Sequence, residues 1–131
     1  MLTAQEVFNM SVGHVLAQGR PAIQGTSHNA SCLYTTNTGL HCGAWPFLKP
    51  HKSSDLGGTW KTVRREFSKF IRDDVPISLD DLIIELQNAH DYSARDVKAL
   101  GGDFLPLYKQ RVRMLALIKG LKTTIIPDDL I

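Results

Sequence analysis

Apolar positions recur along this chain with helical spacing, broken once by a stretch with strand-like alternation, and the breaks predict its elements. Phe8, Val12, Val15 and Leu16 fall at i, i+4, i+7 and i+8, the spacing of one buried helix face. Thr3-Ala4-Gln5-Glu6 precedes them as a capping box, with Leu2 and Val7 at the hydrophobic staple positions. Gly19 supplies a left-handed end and Pro21 forbids continuation. Trp60, Val63, Phe67, Phe70 and Ile71 predict a second helix over residues 59–72, stopped before Pro76. Leu79, Leu82, Ile83, Leu86 and Ala89 predict a third, opened by a second capping box at Ser78 and running to about Asp91. Residues 92–102 read as a connection ending in Gly101-Gly102. A fourth helix follows Asp103, with Leu107, Val112, Met114, Leu115 and Ile118 as its apolar face and Gly120 as its stop.

The strand-like part lies between the first two helices. Cys32-Leu33-Tyr34-Thr35 and Leu40-His41-Cys42 flank Thr36-Asn37-Thr38-Gly39, which carries Asn and Gly where a hairpin needs positive φ. This predicts a two-stranded antiparallel hairpin with Cys32 nearly opposite Cys42. The expected fold is therefore α+β: about four helices and one short hairpin, in a single domain over residues 1–131.

Composition agrees with a globular chain: 131 residues, 43% hydrophobic and 21% charged. No apolar run reaches the roughly 18 residues of a membrane span, and the start lacks a basic region before an apolar one, so a cytoplasmic location is expected. The two cysteines are then expected as free thiols.

Charge changes the picture more. Residues 49–72 hold seven basic and two acidic side chains, residues 73–96 hold seven acids against Arg95, and residues 97–122 hold six basics and Asp103. Such blocks either pair within the fold or offer a basic surface to a partner. Lys61, Arg64, Arg65, Lys69 and Arg72 lie away from the apolar stripe of the second helix and are the candidate partner-binding residues. An acidic protein surface is the expected partner. Nucleic acid is the alternative, although the helix-turn-helix, zinc-finger and RNP patterns are missing.

Candidate chemistry is sparse. His28, Cys32, His41, Cys42 and His51 are metal-ligating types, but the spacing contains no C-x2-C or H-x3-H, so neither metal nor cofactor is expected. A cysteine nucleophile needs an electropositive thiol beside a base, and no motif places one. His90 falls in the middle of the third helix's apolar face, with Asp91 toward solvent. It is either a core histidine satisfied by a partner or a ligand-binding or general-base residue.

Several motifs together resemble a group of small phage and prophage proteins. These are Thr3-Ala4-Gln5-Glu6-Val7-Phe8, Cys32-Leu33-Tyr34, His41-Cys42-Gly43-Ala44, Leu86-Gln87-Asn88-Ala89-His90-Asp91 and Gly120-Leu121. Gly43-Ala44-Trp45-Pro46 departs from the small residues expected after the second cysteine. The resemblance maps Cys32, Tyr34, Cys42, Gln87, His90 and Asp91 as a candidate ligand site. It implies an accessory protein that binds host machinery stoichiometrically, such as a CRISPR or other defence complex, rather than an enzyme. A small ligand-binding protein or enzyme built on the same residues is the second reading, and a nucleic-acid-binding module the third.

Overall fold

Four helices carry the chain: α1 (Ala4–Gln18), α2 (Trp60–Glu66), α3 (Asp80–Leu100) and α4 (Phe104–Lys119). The computed structural model describes residues 1–24, 31–32, 41–51, 56 and 58–129, with backbone alone at 23–24, 31–32 and 129. Helix α3 is the axis, and α1, α2 and α4 each pack against it.

Helix α1 forms as its caps dictate. The Glu6 N–H donates to Thr3 Oγ1 at 3.2 Å, and the Thr3 N–H donates to Glu6 Oε1 at 3.0 Å. Gly19 closes it at φ 78°. Val7, Phe8, Val12 and Val15 are fully buried, and each such side chain stabilises the fold by roughly 1.5–3 kcal/mol relative to exposure.

Helix α2 is shorter than its apolar spacing predicts. It ends at Glu66, and Ser68–Phe70 form a 3-10 turn. The cause is a backbone pairing. Lys49 N–H donates to Phe70 C=O and Arg72 N–H to Phe47 C=O, so the chain after Glu66 runs beside the turn at Trp45–Phe47.

Helix α3 is longer than expected. Residues 92–100 continue it, because Ser93, Ala94 and Val97 extend the inward stripe of Leu86, Ala89 and His90 at three- and four-residue steps. The stop is Gly101, at φ 82°. The capping box read at Ser78 does not form: Ser78 sits in a 3-10 turn at Ile77–Leu79, and Leu79 takes the cap position without a side-chain bond.

Helix α4 is rotated from the face that periodicity assigned. Its core residues are Phe104, Tyr108, Val112 and Ala116, while Met114 and Ile118 are exposed. Leu121 N–H reaches Ala116 C=O at 2.8 Å beyond Gly120, the expected Schellman closure.

The α+β assignment is corrected to a helical fold. No hairpin of the expected kind is formed among the described residues. Residues 33–40, which include most of both expected strands and Tyr34, lie outside them. Cys42 belongs to no strand, and Cys32 pairs through its backbone with Ile23, not with Cys42. That pairing involves two residues a side, Ile23–Gln24 and Ser31–Cys32, and builds no layer. The physical reason is visible at residues 41–44. His41 N–H and C=O, Gly43 C=O and Ala44 N–H are taken by side chains of α1 and α3. Gln18 Oε1 accepts from His41 N–H at 2.7 Å and its Nε2 donates to His41 C=O at 2.9 Å. An isolated two-stranded hairpin is marginal in water, and these bonds tie residues 41–44 to the helices instead of leaving them to a strand partner alone.

Candidate functional site

The residues singled out in the Gln87–Asp91 motif converge on a buried polar knot between α1, α3 and the 41–48 segment. Gln87 Oε1 accepts from Ala44 N–H at 3.0 Å. Ser11 Oγ donates to Gly43 C=O at 2.7 Å. A Cβ on Gly43 would lie 3.3 Å from Ser11 Oγ and 3.5 Å from Leu86 C=O, so glycine is what lets this strand of chain pass between two helices.

His90 is fully buried. Its Nε2 accepts from Ala22 N–H at 3.0 Å, which requires a lone pair there. The ring proton therefore sits on Nδ1 and is donated to Asp91 Oδ1 at 2.8 Å. Both nitrogens are engaged within the fold. The Phe104 ring meets the imidazole edge-on at 5.8 Å, and Tyr108 stacks on Phe104 at 5.5 Å.

Cys42 is also fully buried. Burial pushes its thiol up to about 12, only partly offset by the Ala44 backbone. A thiol in that state is not a nucleophile near neutral pH. The side chain of Cys32 and all of Tyr34 lie outside what is described, as does His28. Among the described residues no group of three or more His, Cys, Asp or Glu side chains is arranged to hold a metal.

Three contributors to the knot escaped the sequence reading: Ser11, His14 and Gln18. They fall at i, i+3 and i+7 on α1, a polar stripe beside the apolar one, and that spacing was the available signal. His14 Nε2 bonds His41 C=O at 3.1 Å, and burial lowers its pKa from the ordinary imidazole value. Its ring and that of His41 both stack on Trp45, with centroids 5.4 and 4.1 Å away.

The basic residues of 61–72 divide into two kinds. Arg64 grips the Asp80 carboxylate through Nε and Nη2 at 2.9–3.2 Å and also reaches Val75 C=O at 3.1 Å. Trp60 Nε1–H donates to the same carboxylate at 2.9 Å. Arg72 bonds Asp74 at 2.6 Å and Pro46 C=O at 3.3 Å. Those two arginines hold the fold. Lys61, Arg65 and Lys69 are exposed. Among the described residues Arg65 approaches Glu66, at 3.8 Å, and the Lys69 ammonium lies 5.2 Å above the Phe70 ring.

A cleft of about 540 Å³ opens between the start of α2 and α3. Trp60, Lys61, Ile84, Asn88 and Arg95 line it, and Gln87 and Asp91 reach it from the buried knot. No helix among the described residues is long and apolar enough to cross a membrane.

Comparison with known proteins adds one partial likeness. A 60-residue stretch is 35% identical to the hydroxylamine reductases of Acidithiobacillus ferridurans and Acidithiobacillus ferrooxidans. It covers 44% of this chain and 11% of each enzyme, so the chain spans about a tenth of the length of the curated relatives it matches. No family model and no solved structure matches the chain.

Proposed function

We propose that this chain acts by binding a protein partner stoichiometrically, in the cytoplasm of a bacterial host, as a phage-type accessory protein directed at a defence complex such as CRISPR. The observation that carries the binding part is the state of the Cys42–Gln87–His90–Asp91 group. Its thiol is buried and protonated, and its imidazole has both nitrogens bonded within the fold. Gln87 fastens Ala44 and His90 fastens Ala22, so these residues serve the fold, while Lys61, Arg65 and Lys69 are exposed cations on α2 and the turn after it. Complementary charge of this kind speeds association and fixes register with an acidic partner. The phage context rests on the motif resemblance. The test is a phage challenge of cells with an active defence system. Expression of the wild-type chain raises plating efficiency, and K61E/R65E/K69E, folded to the same extent, does not. Equal protection by both proteins rejects the basic face; no effect of the wild type rejects the defence reading. A nucleic-acid partner would show instead as loss of the complex on nuclease treatment and a steep fall of affinity with salt.

A second reading is favoured by the cleft. Gln87 and Asp91 connect the knot to a cavity within the size range of small-molecule sites, roughly 300–1,000 Å³. Native mass spectrometry of protein purified from its host tests it, a bound small molecule being the expected result.

A further inference from the structure

The cleft between the start of α2 and α3 is lined by two cations that have no partner among the described residues. Asp81, Ile84, Asn88, Asp91 and Arg95 follow one another along α3 at steps of three and four residues, so one stripe of that helix forms a wall, and Trp60 and Lys61 face the cleft from α2. The carboxylates of the stripe already have favourable surroundings. Asp91 accepts from His90 Nδ1–H at 2.8 Å, and Asp81 stands in the first turn of α3, where the helix dipole favours an acid. The cations differ. Lys61 and Arg95 make no hydrogen bond or ion pair among the described residues, whereas the four basic residues of α4 are paired with Glu85, Asp96 and Asp128. The half-buried Asn88 amide likewise makes no hydrogen bond among the described residues.

We propose that this cleft binds a small organic monocarboxylate with an apolar body. The Arg95 guanidinium takes the carboxylate through its fork of N–H donors, Lys61 adds a second positive charge from α2, and the Asn88 amide donates a further hydrogen bond. Ile84 and Trp60 supply the apolar surface for the body. Charge selects the class. The acids of the stripe are satisfied, so the two open cations call for an anion, and a cationic ligand would meet them like against like. Asp81 and Asp91 on the same wall favour a single negative charge over a phosphate monoester, which brings close to two. The inference rests on the cleft being a small-molecule site and names the class of molecule it takes.

The experiment titrates the full isotope-labelled chain, observed by NMR, with matched probes that share a body and differ in charge: phenylacetate, indoleacetate and hexanoate, each beside its amide and its amine. At least one carboxylate should shift the backbone signals of Lys61, Ile84, Asn88 and Arg95. It should bind at least roughly tenfold more tightly than its amide, with the amine weakest and added salt reducing the affinity. R95Q should lose at least roughly tenfold for that carboxylate and bind the amide as before. Its melt should be unchanged, because Arg95 is exposed and makes no bond among the described residues. R65E/K69E, which leaves the cleft intact, should bind the carboxylate as the wild type does in physiological salt, so general attraction to a basic surface is excluded. An amide or amine that binds in the cleft as tightly as its carboxylate overturns the monocarboxylate assignment and leaves the small-molecule cleft standing. Tighter binding of phenyl phosphate than of phenylacetate, or a carboxylate indifferent to R95Q, does the same. If no probe of any charge shifts those signals, the small-molecule reading of the cleft falls, and this inference falls with it.

Discussion

The imidazole of His90 on α3 accepts the backbone N–H of Ala22, 68 positions earlier in the chain, at 3.0 Å and out of reach of solvent. This single bond fastens the segment leaving α1 to the centre of the molecule. Removing it orphans a backbone donor as well as emptying the site of a ring. His90→Ala should therefore lower stability by about 1–3 kcal/mol for the unsatisfied donor alone, with a further loss from the cavity. Urea denaturation of the two proteins measures it. An unchanged midpoint combined with lost function would make His90 a functional group and not a fastening.

Tyr108 presents the opposite case. Its ring is fully buried, and its hydroxyl makes no hydrogen bond of good geometry among the described residues, with Ser11 the polar side chain nearest to serving it. Burial pushes the phenol's pKa upward, so the group stays neutral. A buried hydroxyl without a partner contributes little beyond its desolvation cost. Tyr108→Phe should leave stability unchanged or raise it, by up to about 1 kcal/mol. A loss larger than that would show the hydroxyl bonded, to Ser11 or to a water.

Cys42 should be silent toward thiol reagents. In a Cys32→Ser background, which leaves one cysteine, labelling by an aromatic disulfide reagent near pH 8 should proceed only as fast as the protein opens. The thiol pushed up to about 12 holds almost no thiolate at that pH. Prompt labelling in the native protein would show that the segment at 41–44 detaches from α3 readily.

His14 gives stability a pH dependence with a definite sign. Burial lowers its folded pKa below that of the unfolded chain, so the unfolded state binds more protons in the interval between the two values. Stability is then complete above the unfolded value, about 6.5, and declines as pH falls through it toward the folded one. His14→Gln keeps an N–H for His41 C=O but cannot titrate. The wild type minus variant difference in unfolding free energy should fall as pH drops from about 7 to about 5. A flat difference would mean that the ring remains in water.

How much of this was readable in the sequence differs by element. Helix α1 was legible to the residue because its signals are local: Thr3 and Glu6 cap it and Gly19 ends it whatever surrounds it. The Gly120-Leu121 closure was legible for the same reason. The hairpin was misread because its turn chemistry was local while its competitors were distant. Gln18, Ser11 and Gln87 supply the bonds that a strand would have made, and nothing near Cys42 in sequence announces them. The far half of α3 was missed because Tyr92-Ser93-Ala94-Arg95 is polar and small; small residues are what close packing of α3 on α4 admits. On α4, size misled: Met114 and Ile118 are larger than Ala116, yet Ala116 is the one buried. In the candidate site, Gln87, His90 and Asp91 share one stretch of α3 and bond the chain around it, and their neighbours on α1 were not seen.

The division among the basic residues of 61–72 gives the last prediction. Arg64 and Asp80 are mostly shielded, with side chains 21% and 17% exposed, and their bonds tie α2 to the first turn of α3. Loss of Arg64 would leave the Asp80 carboxylate with Trp60 alone among these bonds and would free Val75 C=O. Breaking one side of a buried pair costs more than the pair is worth, because a desolvated charge remains. Residual solvent access at this site brings the expected figure down to about 1–3 kcal/mol for Arg64→Ala. Arg65→Ala, one residue along, removes only a 3.8 Å contact between exposed groups and should change stability by less than about 0.5 kcal/mol. Denaturation curves for the two variants distinguish the roles directly. If Arg65 proves as costly as Arg64, the exposed cations also serve folding, and charge reversal at Lys61, Arg65 and Lys69 would no longer isolate binding. If neither matters, Trp60 and the packing of Val63 hold α2 to α3 without the ion pair, and Arg64 rejoins the surface available to a partner.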